Sequence, residues 1–234
     1  MARGSLLFMS DLAARLEEVR QRLADAARRS GRAAEAVELL AVSKTFAPSL
    51  IEEAARAGQR LFGESRAQEC LEKIPALSPQ FRWHFIGHLQ SNKVRKVLPL
   101  CEAFHSVDST ALALDFERIA LEEGCRPQVY LQVNVAGDGR KFGFTAESVR
   151  REIGPLLALK RVEVVGLMTI PPAVADPEES RVHFAALREL RDLLATETGT
   201  PLPGLSMGMS GDYEVAAEEG ATVVRVGSVI FGGR

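Results

Sequence analysis

Three cysteines in 234 residues, Cys70, Cys101 and Cys125, form no CxxC pair and are odd in number. That excludes a disulfide framework and a cysteine zinc site, and fits a reducing compartment. An excess of either charge is also missing: 29 Lys and Arg stand against 31 Asp and Glu, for a net charge of −2. No global field draws nucleic acid or an anionic membrane to such a chain. Long apolar runs are absent. The first one, Leu6 to Met9, is too short for a signal segment, and nothing later approaches a membrane span. The expectation is a soluble cytoplasmic protein in which residues 1–9 form a disordered extension. There is no HExxH, no P-loop and no GxGxxG after a strand. His84 and His88 are four apart, but the first falls in a strand and the second beyond Gly87, so the spacing does not bring them together as metal ligands. The basic run Lys93 to Lys96 has no interleaved aromatics and reads as a solvated helix face.

What is present is a 46% apolar composition arranged in an alternation of strands and helices. An amphipathic helix over 10–29 repeats Leu12, Leu16, Val19 and Leu23 on one face, with Ser10 or Asp11 as cap. Short apolar strands are then expected at 38–42, 61–63, 82–86, 103–107, 128–134, 162–168, 204–207 and 222–226. A helix or turn follows each, often opened by Pro and closed by Gly. Eight strand-then-helix units of this size imply a single (β/α)8 TIM barrel over 10–234, with an extra N-terminal helix. An open doubly wound sheet is the alternative arrangement.

In such a barrel every strand points its carboxyl end at one mouth, where ligands bind. The first strand ends abruptly on Lys44. A lysine there is a Schiff-base nucleophile if its surroundings leave the amine neutral, or simply snorkels into water. Ser210, Gly227 and Ser228 follow the seventh and eighth strands, where small and hydroxyl residues cradle phosphate; taken singly, Ser210 is equally a helix cap and Gly227 a turn glycine. Arg225 is the one charge in an otherwise apolar strand and shares a side with Val223. It needs an acceptor if it points inward, and an ion pair if it faces the helices.

AVSKTF at 41–46, LFGES at 61–65, WHFIGHLQSNK at 83–93, HSVDS at 105–109, QVNVAGDGRKFGF at 132–144, GLMTIPP at 166–172, LSMGMSGDYEVAAEEG at 205–220 and VRVGSVIFGGR at 224–234 stand in this order. A chain carrying them resembles the pyridoxal phosphate homeostasis proteins, whose barrel, of the fold-type III kind, is similar to the N-terminal domain of alanine racemase. The resemblance implies that Lys44 forms a Schiff base with pyridoxal 5′-phosphate (PLP). It further implies that Ser210 and the backbone of Gly227 and Ser228 hold the phosphate, that Arg225 faces the pyridine nitrogen, and that Met207 and Ser65 line the ring pocket. Ser65 stands where the family usually has asparagine, so no bond to the ring hydroxyl is implied there.

An arginine at the ring nitrogen repels a pyridinium and makes the ring a weak electron sink. The second base of alanine racemase is a tyrosine from a further domain, and this chain has only Tyr130 and Tyr213. The implied protein carries PLP, with PLP-dependent apo-enzymes as recipients, and is a monomer or weak dimer without substantial turnover. The loops 138–144 and 90–96 are read as gates, with Lys141 as the residue to change. The competing readings are a single-domain PLP-dependent amino-acid racemase and a barrel for an ordinary phosphorylated metabolite.

Overall fold

The computed structural model describes residues 10–137 and 142–233. The extension read at 1–9, and Lys141 of the candidate gate, lie outside the described residues. Eight parallel strands close on themselves in sequence order: β1 Glu38–Val42, β2 Leu61–Glu64, β3 Arg82–Phe85, β4 Ala103–Val107, β5 Gln128–Gln132, β6 Glu163–Met168, β7 Gly204–Ser206 and β8 Val223–Val226. Closure is made by β1 against β8, where Leu40 pairs with Arg225 and Ala41 with Val226. The sheet is a closed barrel, not the open alternative. Strands enclosed by side chains inside and helices outside must be apolar on both faces, which is why they read as near-continuous runs and not as alternations.

The helices are α1 Asp11–Arg29, α2 Pro48–Arg56, α3 Ala67–Lys73, α4 Ser91–Val97, α5 Thr110–Glu123, α6 Ala146–Leu157, α7 Arg181–Thr198, α8 Tyr213–Glu218 and α9 Ser228–Phe231. In α1 the expected stripe of Leu12, Leu16, Val19 and Leu23 is buried, and Ser10 caps the start by accepting the Ala13 N–H. The helix packs on α8, α9 and α2, and Arg15 Nε donates to the Ile230 carbonyl at 2.8 Å, tying it to the chain's last turn. Burying each leucine of that stripe stabilises the fold by about 1.5–3 kcal/mol.

Two boundaries differ from a simple helix start. The segment after β6, opened by Pro177, begins as a 3-10 turn, Pro177–Ser180, and becomes α-helical only at Arg181. The α8 helix starts at Tyr213 with Asp212 as the residue before it, so Ser210 does not sit at a helix start. The turn that precedes α8 is closed by Asp212 itself, whose Oδ1 accepts the Met209 N–H at 2.7 Å while the Tyr213 N–H reaches the Met209 carbonyl.

Inside the barrel the filling is divided. Leu40, Val42, Leu61 and Val223 form an apolar cluster, with Ile86 packed against it. Across from them lie His84, His105, Ser206 and Arg225, all buried. Such groups are tolerated there only when hydrogen-bonded.

Candidate functional site

A cavity of about 750 Å³ opens at the carboxyl ends of the strands, and Lys44, Ser65, Ser210, Arg225, Gly227 and Ser228 are among its walls. Six of the seven residues expected at the site therefore meet around one space. The remaining walls are largely apolar, Val42, Phe46, Ile86, Ile170 and Met209 among them.

Met207 is the exception. It is fully buried in the core between barrel and helices and does not line the cavity. The reason is strand alternation: Ser206 points inward to bond His105 and Arg225, so Leu205 and Met207 point outward. The methionine at the cavity is Met209, two residues on.

Lys44 leaves the barrel wall one residue after Ser43 and two after Val42. Val42 faces the interior cluster, Ser43 bonds outward to Glu64, and Lys44 returns to the mouth. Beside it, beyond the neighbouring strand β8, the Gly227 N–H donates to Ser210 Oγ at 3.2 Å, which joins the loops after β7 and β8. Ser228 opens α9 with Gly227 before it, and first-turn N–H groups have no acceptor within their own helix. A Cβ on Gly227 would come within 3.2 Å of the Val42 carbonyl, so the loop runs close against β1. Gly87 is needed for a similar reason, because a Cβ there would overlap the Ser65 carbonyl.

Arg225 faces inward, on the side of Val223. Its NH1 donates to Ser206 Oγ at 2.5 Å and its NH2 to the Thr169 carbonyl at 2.9 Å. Both partners are neutral acceptors, the first of the two possibilities the sequence left open. Burial pulls the guanidinium down to about 10, with Asp212 and Tyr130 acting the other way. It remains charged at neutral pH.

The sequence did not reveal what lies behind Arg225. Ser206 Oγ is 2.7 Å from His105 Nδ1, His105 Nε2 is 2.9 Å from His84 Nδ1, and His84 Nε2 is 2.9 Å from Glu102 Oε1. The line runs through the barrel from its mouth to Glu102, which is also bonded by Arg82 at 2.7 Å. An arginine can only donate and a carboxylate can only accept. The direction is fixed at the two ends, where Arg225 donates to Ser206 Oγ and His84 Nε2 donates to Glu102, while the Ser206 hydroxyl can donate to His105 or accept from it. Burial, with His84 and Arg225 nearby, holds His105 well below the ordinary imidazole value. Burial opposes ionisation of Glu102, but the bonds from His84 and Arg82 outweigh it and bring the carboxyl down to about 2.

His88 is far from His84 in role as well as place. It lines the cavity, bonds Asp108 through Nδ1 at 3.1 Å, and stacks on Phe142 with ring centres 4.1 Å apart. Neither tyrosine is among the cavity walls. Tyr130 packs inside the barrel against His105, and Tyr213 is buried near Arg22 at the α1 side.

Comparison with known proteins shows the family and the fold. The family model described as alanine racemase, N-terminal domain, matches residues 15–234. A pyridoxal phosphate homeostasis protein of Aquifex aeolicus is 43% identical over 221 residues, covering 94% of this chain and 97% of that one. One of Synechocystis is 44% identical over 200 residues, covering 85% and 92%. Among solved structures, PipY of Synechococcus elongatus PCC7942 with PLP bound superposes with a TM-score of 0.86 at 39% identity, over 95% of this chain and 100% of that one. An alanine racemase of Clostridium difficile, 16% identical with a TM-score of 0.73 and 57% of its length covered, shares the barrel fold. The chain belongs to the alanine racemase N-terminal-domain family, and within it to the pyridoxal phosphate homeostasis proteins.

Proposed function

We propose that this protein holds PLP as a Schiff base on Lys44 and takes part in intracellular vitamin B6 homeostasis without substantial turnover. The observation that carries the proposal is the meeting of Lys44 from β1 with Ser210, Gly227 and Ser228 from beyond β7 and β8 in one apolar-walled cavity, with the buried Arg225 among its walls. The residues fit the group. Ser210 and the backbone at Gly227 and Ser228 suit a phosphate, Arg225 suits the unprotonated ring nitrogen, and Val42, Phe46 and Ile86 suit the ring faces. The bound PLP of PipY supports the same assignment.

Lys44 would hold the group through its amine, the nucleophile that a neutral lysine offers an aldehyde. What PLP supplies when bound is an electron sink. Arg225 keeps that sink weak, since a guanidinium beside the ring nitrogen opposes its protonation. Both tyrosines lie away from the cavity walls, so neither is placed as an acid/base group across from Lys44. The protein on this account stores a reactive aldehyde in masked form in the cytoplasm, as a monomer or weak dimer, and yields it to PLP-dependent apo-enzymes.

Titration of the purified protein with PLP tests this. An absorption band of a Schiff base should saturate at one equivalent in wild type and be missing in Lys44→Ala. Colourless protein at saturation would favour an ordinary phosphorylated metabolite instead.

One observation favours a second reading, a racemase. His88, bonded to Asp108, lines the same cavity as Lys44 and is a titratable group within it. Exchange of the α-hydrogen of alanine for solvent deuterium at enzymatic rates, lost in both Lys44→Ala and His88→Asn, would establish it.

A further inference from the structure

On the helix side of β1, directly behind Lys44, lies a cluster that the cavity does not use. Lys73, at the end of α3, is buried, and its ammonium donates to three acceptors: Glu69 Oε2 at 2.6 Å, Glu64 Oε1 at 3.0 Å and the Ser43 carbonyl at 3.1 Å. Glu64 Oε1 also accepts from Ser43 Oγ at 2.8 Å. Glu69 Oε2 also accepts the Thr45 backbone N–H at 2.6 Å. Both neighbours of Lys44 are thus tied into one cluster, Ser43 to Lys73 through its carbonyl and to Glu64 through its hydroxyl, and Thr45 to Glu69 through its N–H.

The backbone shows why such bonds are required. Thr45 has φ +68°, the only positive value at a non-glycine residue among the described residues. For a β-branched side chain that conformation is strained and persists only where its surroundings impose it. The turn it creates reverses the chain within one residue of the strand, with the Phe46 N–H returning to the Ser43 carbonyl at 3.1 Å. Ser43 and Thr45 are pinned outward, so the residue between them is turned into the mouth. Burial lifts the Glu64 carboxyl above its ordinary range despite its bonds from Ser43 and Lys73, whereas in Glu69 the bonds from Lys73 and Thr45 overcome burial and hold it low.

We propose that Lys73, with Glu69 and Glu64, is the positioning group for Lys44: it locks the Ser43–Thr45 turn so that the Lys44 amine is presented to the cavity. This rests on Lys44 being the residue that captures PLP. Lys73 touches neither the cavity nor the reacting atoms, and acts only through the backbone on either side of Lys44. In sequence it looks like an ordinary helix-surface lysine, 29 positions from the residue it serves.

The test compares wild type with Lys73→Met, Glu69→Ala and Lys73→Arg. Two quantities are read: amide hydrogen exchange in the peptide spanning Thr45, without PLP, and the rate at which added PLP is captured on Lys44, trapped by borohydride and located by peptide mass. Loss of a charge-assisted bond predicts exchange at Thr45 about tenfold faster in Lys73→Met and Glu69→Ala, and capture about tenfold slower. Lys73→Arg restores both to within about threefold, which a role in bulk stability alone would not require. Glu69 lies at the rim of the cluster, so Glu69→Ala carries the test if Lys73→Met fails to fold. Capture within twofold of wild type in the folded variants, or unchanged exchange at Thr45, overturns the proposal and leaves the PLP assignment standing. A wild type that captures no PLP on Lys44 overturns both.

Discussion

His105 Nε2 stands 2.9 Å from His84 Nδ1 at the centre of the barrel, between a donor at one end of the line and an acceptor at the other. Arg225 has protons to give at the cavity, and Glu102 has lone pairs to receive at the far side. Every link of the line between them is within hydrogen-bond distance. Nitrogen NMR at neutral pH should therefore show His105 neutral, because burial beside Arg225 holds it well below the ordinary imidazole value. A stable imidazolium at His105 would contradict this.

Breaking that line in the middle should cost more than its size suggests. Ser206→Ala removes one hydroxyl but strips an acceptor from Arg225 and a hydrogen-bond partner from His105, both buried. Each orphaned group costs about 1–3 kcal/mol, so the urea midpoint should fall clearly. Glu102→Gln, which keeps an acceptor for His84 at a half-exposed position, should cost less. Equal losses for the two would show that Ser206 is not a buried link.

The histidine also sets a pH dependence. His105 is held well below 6.5 when folded and returns to that value when unfolded. Below about pH 6.5 the unfolded chain takes up a proton that the folded one refuses. Its share of stability is complete above that pH and is lost as pH falls, by up to about 1.4 kcal/mol per pH unit. Glu64 acts in the opposite sense, because its folded value is raised above 4.5; its share is present at low pH and is lost as pH rises through that value. Urea midpoints between about pH 5 and pH 7 should flatten in His105→Gln and steepen in Glu64→Gln relative to wild type. The same slope in all three would remove both groups from the balance.

At the mouth, Gly87→Ala should be poorly tolerated. Its added methyl meets the Ser65 carbonyl, Cα and carbonyl carbon, none of which can swing aside. A loss of about 1–3 kcal/mol or more is expected from overpacking. Gly227→Ala, whose methyl would meet the Val42 carbonyl at 3.2 Å, should lose less. Thermal unfolding of the two variants separates them, and the reverse order would show that the β2 and β3 ends are not in the contact described.

Much of this was legible in the chain because strand ends are local features. An apolar run that stops on Lys44, or holds one charge at Arg225, marks the mouth from a few residues alone. The alternation that aligned Arg225 with Val223 was correct about its side. Met207 went astray because the same alternation, applied from Gly204, turns Ser206 inward and Met207 out. Ser210 was placed at a helix start because Asp212, which closes the turn, is equally good as a cap in sequence. The pairs that sequence could not supply are distant ones. Ser206 lies 101 positions from His105 and Lys73 lies 30 from Ser43, and neither hydroxyl nor lysine carries a sign of its partner. Only closure of the barrel and the seating of α3 bring them together.

The most direct test of the central claim is borohydride reduction of the protein saturated with PLP, followed by peptide mapping. The account predicts one reduced pyridoxyl group, covalently fixed on the peptide that contains Lys44. Fixation on another lysine, or none at all at saturation, would contradict it.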